Sequence, residues 1–222
     1  MIHLFRCEVN VAKHRLLIVG KTKHTCFYFS GCNYTKVDVG FLVDSSGSIN
    51  AADSFNYQRI KDFIKGFIKS VVIGENDTRI GLATFSGENS FTVRINFADF
   101  FATDSLINAV QRIPYDSGGT RTGEALNRIR TSLFSMTREG LPHILVVLTY
   151  GKSQDSVTAP SRLLREMGVQ IISVGVGDAV FEELADMASE PDSENIYDVT
   201  FESLGNLTGS LLDSVCKGKQ FS

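Results

Sequence analysis

The stretch VDVGFLVDSSGS, from Val37 to Ser48, constrains the fold more than any other part of the chain. Val37, Val39, Phe41, Leu42 and Val43 make a short run of β-branched and large apolar residues closed by a Gly/Ser turn, which reads as a buried strand. Asp44, Ser46 and Ser48 leave the end of that strand together. Their alternate spacing lets a chain curling over the strand end aim three oxygens inward, with Gly47 relieving the bend. A carboxylate and two hydroxyls suit a hard divalent cation such as Mg²⁺ or Mn²⁺. A serine-rich turn that only caps the next helix is the alternative reading of the same residues.

Downstream, helical and strand periods alternate. Tyr57, Ile60, Ile64, Phe67 and Val71 recur at three- and four-residue spacing and predict an amphipathic helix from about Ala51 to Val71. Arg79 to Phe85 and Phe91 to Ile95 read as strands around Ser86-Gly87-Glu88-Asn89. So short a link permits only a hairpin, which makes the second an antiparallel edge strand. Helices are expected over Thr103 to Ile113 and Thr122 to Phe134. Leu141 to Thr149 is almost continuously apolar, the pattern of a central parallel strand buried on both faces. A helix ending at Met167, a strand from Val169 to Gly175, a helix from Ala179 to Ala188, a strand from Asn195 to Val199 and a helix from Phe201 to Val215 complete the alternation. The expected fold is α/β: a doubly wound, mostly parallel six-stranded sheet with one antiparallel edge strand and helices on both faces. Ligands of such folds bind beyond the carboxyl ends of the strands at the switch point, and Asp44 and Tyr150 stand at two such ends.

Charge is distributed unevenly. The net charge of −3 combines a basic arm, with six Lys/Arg and one acid in residues 1–36, with a remainder of 16 basic and 24 acidic residues. An acidic folded part argues against nucleic acid, whose phosphates need a concentrated basic face. No window has the apolar length of a membrane-spanning helix, so no membrane insertion is expected, and Leu16 to Val19 is too short for a signal-peptide core. Residues 1–36 read as an amino-terminal extension or the tail of a preceding module, 37–216 as one domain and 217–222 as a tail. Within the arm, Ile18-Val19-Gly20-Lys21-Thr22 mimics the end of a phosphate-binding P-loop, but Arg15 stands where that motif needs glycine.

Three motifs in register carry a family resemblance: Asp44-Ser45-Ser46-Gly47-Ser48, Gly118-Gly119-Thr120-Arg121-Thr122-Gly123 and Leu148-Thr149-Tyr150-Gly151-Lys152-Ser153. Their order resembles that of von Willebrand factor type A domains, most of all those of matrilins and collagen-associated matrix proteins, over roughly Cys32 to Cys216. The resemblance implies a Rossmann-like fold and a metal-ion-dependent adhesion site (MIDAS) made by Asp44, Ser46, Ser48 and Thr120, loaded with Mg²⁺ or Mn²⁺. An open coordination position would take an acidic residue of a partner, an extracellular matrix protein such as a collagen or a cell-surface receptor. The family usually has Asp where this chain has Tyr150. A neutral phenol in place of a carboxylate predicts a weakened site, since loss of an outer-shell carboxylate costs about 10- to 100-fold in metal affinity. Asp155, expected in the following helix, is a candidate to compensate through water. A metal-independent structural or assembly module with a vestigial site is the alternative function.

Four cysteines, Cys7, Cys26, Cys32 and Cys216, leave the middle of the chain free of thiols. They allow three pairings. Cys32 with Cys216 and Cys7 with Cys26 is the expected pattern for a secreted matrix module, because Cys32 and Cys216 flank the two ends of the domain; four reduced cysteines are the alternative. Sequons at Asn33, Asn76 and Asn206 fit a secreted glycoprotein. Catalysis finds little support. The second acid of a dehalogenase-type phosphatase would fall at Ser46, no G-x-S-x-G elbow occurs, and Gly175-Val176-Gly177 lacks the third glycine of a dinucleotide loop at Val180. The one histidine beyond the arm, His143, lies in an expected buried strand.

Overall fold

The computed structural model describes Phe5–Cys7, Ile18–Gly20, residues 36–51 and residues 53–217. Two compact units are distinguished, Met1–Cys32 and Asn33–Ser222. In the first, β1 (Phe5–Cys7) pairs antiparallel with β2 (Ile18–Gly20). Three residues are too few to show a period, so neither strand is legible in the sequence.

The second unit holds the six-stranded sheet. Its strands are β3 (Val37–Asp44), β4 (Thr78–Phe85), β5 (Thr92–Ile95), β6 (His143–Thr149), β7 (Val169–Val176) and β8 (Ile196–Val199), in the spatial order β5-β4-β3-β6-β7-β8. Only β5 runs antiparallel, on the edge beside β4. The other strand pairs are parallel. This is the expected mixed sheet, with the hairpin strand on the edge where the short link to β4 puts it.

The strands alternate their faces, and two apolar layers follow. Val39, Phe41 and Val43 of β3 pack with Phe63, Ile64 and Phe67 of α1 (Asn56–Lys69), with Leu106 and Val110 of α2 (Thr103–Gln111), and with Leu211 of α7 (Thr208–Lys217). Phe41 meets Phe67 edge to face at 5.5 Å between centroids, which sets α1 across the sheet centre. On the other face Leu42, Leu145 and Val147 pack with Leu126 and Ile129 of α3 (Thr122–Thr131), Leu164 of α4 (Thr158–Glu166) and Leu184 of α5 (Phe181–Met187). Gly40 opens space on that face: a Cβ there would lie 2.8 Å from the ring of Phe134.

Two helix starts differ from expectation by more than two residues, each for a local reason. α1 begins at Asn56 rather than near Ala51, because Asn50 Oδ1 accepts the Tyr57 N–H at 3.0 Å and Asn56 Nδ2 donates to Ile49 O at 2.9 Å, holding the preceding segment as a loop. The helix expected from Phe201 divides into a 3₁₀ turn, Leu204–Leu207, followed by α7. Thr200 and Ser203 bond to each other's backbone N–H groups, a local alternative to helix that delays its start. A single turn, α6 (Asp192–Asn195), lies between α5 and β8.

Successive strands step outward in one direction from β3 to β4 and in the other from β6 to β7 and β8. The connections therefore diverge above the carboxyl ends of β3 and β6, leaving a crevice at that switch point. Asp44 ends one of these strands and Thr149 the other.

Candidate metal site

Asp44 is buried, 1 % exposed, at the end of β3. Its Oδ1 accepts the Ser46 N–H at 2.8 Å, and its Oδ2 accepts the Tyr150 N–H at 3.1 Å and the Thr149 hydroxyl at 3.3 Å. Burial pushes its carboxyl up to about 6, against the hydrogen bonds from Ser46, Tyr150 and Thr149, which act the other way. Among the described residues no Lys, Arg or His side chain bonds to it. A buried carboxylate without a basic partner is a position where a cation offsets a desolvation cost.

Ser46 Oγ and Ser48 Oγ lie 3.2 Å apart, Ser46 buried and Ser48 exposed. Neighbouring ligands of an octahedral Mg²⁺ with bonds of about 2.1 Å stand about 3.0 Å from each other, so the two hydroxyls have nearly the spacing of adjacent ligands. Thr120, also buried, is brought to the same end of the sheet by backbone bonds around it. Gly118 O accepts from Gly47 N at 2.9 Å, Arg121 N donates to Ser86 O at 3.0 Å, and Thr120 O accepts from Gln154 N at 2.9 Å. The hydroxyl of Tyr115 donates to Ser46 O and pins the serine loop from a third side. These residues fit a hard dication: oxygen donors only, with one carboxylate among them. Among the described residues no three His, Cys, Asp or Glu side chains gather as a metal-binding group.

The carboxylates in the surrounding loops have other partners. Asp155 is not in α4, as the sequence suggested, but in the loop before it, where its oxygens accept the N–H groups of Gly123 and Glu124, both at 2.8 Å, and the Ser153 hydroxyl at 2.7 Å. It satisfies the first turn of α3, whose free N–H groups attract a carboxylate, so both its oxygens are engaged there. Asp116 accepts from Ser45, Thr84 and Arg94. Asp178 accepts the phenol of Tyr150 at 2.8 Å. Tyr150 itself is half-buried, and its ring stacks on Phe201.

Asp116 and Asp178 are site neighbours that sequence reasoning passed over, because nothing in their flanks distinguishes them from solvated loop acids. Asp38, at the opposite end of β3 from Asp44, is a second acid in an otherwise apolar strand, a signal that sequence reasoning passed over. It is fully buried and bonded to Arg79 and Arg138, which lock the amino ends of the strands together. His143 completes that end, its Nε2 lying 2.8 Å from Arg138 O.

Asn76 and Asn206 are exposed. Cys26, Cys32 and Asn33 lie outside the described residues, as do the side chains of Cys7 in β1 and Cys216 in α7, so the expected disulfides do too. Among the described residues no helix is long and apolar enough to cross a membrane.

Residues 38–210 match the family profile of the von Willebrand factor type A domain. Chicken (Gallus gallus) matrilin-1 is 32 % identical over 196 residues, spanning 86 % of this chain and 39 % of the matrilin. The collagen alpha-1(XII) chain of Notophthalmus viridescens is 33 % identical over 185 residues, spanning 82 % of this chain and 19 % of the collagen. The chain thus covers well under half the length of either relative. Among solved structures, proximal thread matrix protein 1 of the mussel byssus, in a form with a zinc-occupied MIDAS motif, superposes with a TM-score of 0.76 at 27 % identity, over 83 % of this chain and 46 % of that one.

Proposed function

Since the chain belongs to the von Willebrand factor type A family, we propose that it is a non-catalytic adhesion module whose Asp44 end holds a divalent cation and, through it, an acidic group of a matrix protein. Asp44 would supply the charge, Ser46 and Ser48 the adjacent hydroxyls, and Thr120 a further oxygen. The cation, Mg²⁺ or Mn²⁺ given an all-oxygen donor set, would act as a Lewis acid with a position open to the partner's carboxylate. The observation that carries this reading is the buried Asp44 carboxylate, without a basic partner among the described residues, set beside two hydroxyls at near-ligand spacing.

One formal charge from these residues means modest affinity. The proposed module spans 37–216, secreted, with 1–36 as an extension or the tail of a preceding module, 217–222 as a tail, and Cys32 bonded to Cys216. A collagen, or another matrix or cell-surface protein, is the proposed partner class, in keeping with the names of the relatives.

Calorimetric titration with Mg²⁺ and Mn²⁺, followed by binding to immobilised collagens with and without a chelator, tests the reading. Metal binding lost in Asp44→Ala and adhesion abolished by chelator are the expected results. Tyr150 favours a second reading, a metal-independent assembly module, because the phenol is engaged by Asp178 and Phe201. Adhesion that survives the chelator would select it.

A further inference from the structure

Tyr150 joins three separated parts of the molecule. Its backbone N–H donates to Asp44 Oδ2 at 3.1 Å. Its phenol donates to Asp178 Oδ2 at 2.8 Å, in the turn between β7 and α5. Its ring stacks on Phe201, centroids 5.6 Å apart and planes 28° from parallel, just before the last 3₁₀ turn and α7. Gly177 is shaped to admit that ring: its φ is +73°, and a Cβ there would collide with the ring edge of Tyr150. Phe201 is itself anchored, 9 % exposed, within the apolar layer beneath α1 and α7.

The Asp44 carboxylate has one backbone donor on each oxygen, Ser46 on Oδ1 and Tyr150 on Oδ2, and these two amides, with the longer bond from the Thr149 hydroxyl to Oδ2, set its plane. The Ser46 donor is held by the serine loop. The Tyr150 donor follows its own side chain, because an aromatic residue stacked on one face and bonded at its tip has little freedom to shift its backbone. A site with a single carboxylate depends on the orientation of that carboxylate, and orienting groups govern metal affinity.

We propose that Phe201 and Asp178 are positioning residues for the Asp44 carboxylate and act through Tyr150, the stack and the phenol bond together holding the Tyr150 amide against Asp44 Oδ2. The proposal rests on the reading of Asp44 as the metal-binding carboxylate. It gives the residue that departs from the family pattern a role of its own: in place of a second charge, Tyr150 supplies a strut from the last segment of the domain to the site.

The test uses Phe201→Ala, Phe201→Tyr and Asp178→Asn, read by Mn²⁺ titration and by amide hydrogen exchange resolved at Tyr150. Phe201 borders an open cleft of about 290 Å³ with Arg59, Phe63 and Thr208, so truncation enlarges an existing opening. Asp178 is exposed, and its substitution repeats the test without touching the core. Phe201→Ala is expected to weaken Mn²⁺ binding about 3- to 10-fold and to speed exchange at Tyr150 about tenfold relative to Val147. Phe201→Tyr, which keeps the stack, should restore both, and Asp178→Asn should move both in the same direction by less. Phe201→Ala added to Tyr150→Ala should weaken binding no further than Tyr150→Ala alone, because the two act in series. Unchanged exchange at Tyr150 in both Phe201→Ala and Asp178→Asn, or additive losses in the double variant, overturns the proposal. A wild-type chain that binds no Mn²⁺ overturns the site reading instead, and exchange at Tyr150 still decides the strut.

Discussion

Asp155 Oδ1 accepts the backbone N–H of Gly123 at 2.8 Å, bridging the loop after β6 to the first turn of α3. Its other oxygen takes the Glu124 N–H at the same distance, so one side chain satisfies two of the helix's free donors. Thr120 lies two residues before that turn, and its place beside the serine loop depends on where α3 begins.

Asp155→Ala should therefore cost about 1 to 2 kcal/mol of stability, the scale of a lost helix cap. It should also weaken Mg²⁺ binding by loosening Thr120, although Asp155 is no ligand. Urea unfolding and calorimetry on the same variant separate the two effects. Undiminished stability would mean that water replaces the carboxylate at α3.

Asp38 contributes to the response to acid. Burial pushes its carboxyl up, but hydrogen bonds from Arg79 and Arg138 outweigh that and hold it below its ordinary value of 3.8. A folded-state value below the unfolded one contributes stability that is fully present above the unfolded value, about 3.9, and lost as pH falls through the folded value. Asp38→Asn should cost about 3 to 5 kcal/mol at neutral pH, since it strands two arginines that are mostly buried. The gap between variant and wild type should narrow below about pH 4. Urea unfolding across pH 3 to 7 measures it, and a gap independent of pH would refute the assignment.

Tyr150→Asp returns a carboxylate to the position where the family usually has one. The added charge should strengthen Mg²⁺ binding by about 10- to 100-fold, offset in part by the about 3- to 10-fold cost of losing the Tyr150 strut. The same change removes the stack on Phe201 and the bond to Asp178, so stability should fall by about 1 to 2 kcal/mol. Higher metal affinity with a lower melting temperature is the expected pair of results. Wild-type affinity equal to that of Tyr150→Asp would mean that another group already supplies the missing charge.

Cys32 and Cys216 are predicted to form a disulfide in secreted material. Closing so long a loop contributes about 4 to 5 kcal/mol in the chain-entropy account. Peptide mapping without reductant should recover the two cysteines as one cross-linked species, and free thiols at both positions would reject the pairing.

From Val37 onward the sequence by itself determined the kinds of the main elements, their order and the strand ends at which the candidate site stands. Apolar runs at β3 and β6 require strands buried on both faces, helical periods between strands require crossovers, and both follow from residues a few positions apart. Asp44, Ser46 and Ser48 were legible for the same reason, lying within five residues on one strand end. Tertiary structure alone decided which side chains those loops bring together. Asp38 meets Arg138 across 100 residues, Tyr150 meets Asp178 across 28, and Asp155 serves a helix that begins some 30 residues before it. Such pairs depend on strand register and loop path, which local preference does not encode. For that reason Asp155, a candidate to compensate at the site, was found capping α3, and Tyr150, read as a loss, was found donating its backbone N–H to Asp44.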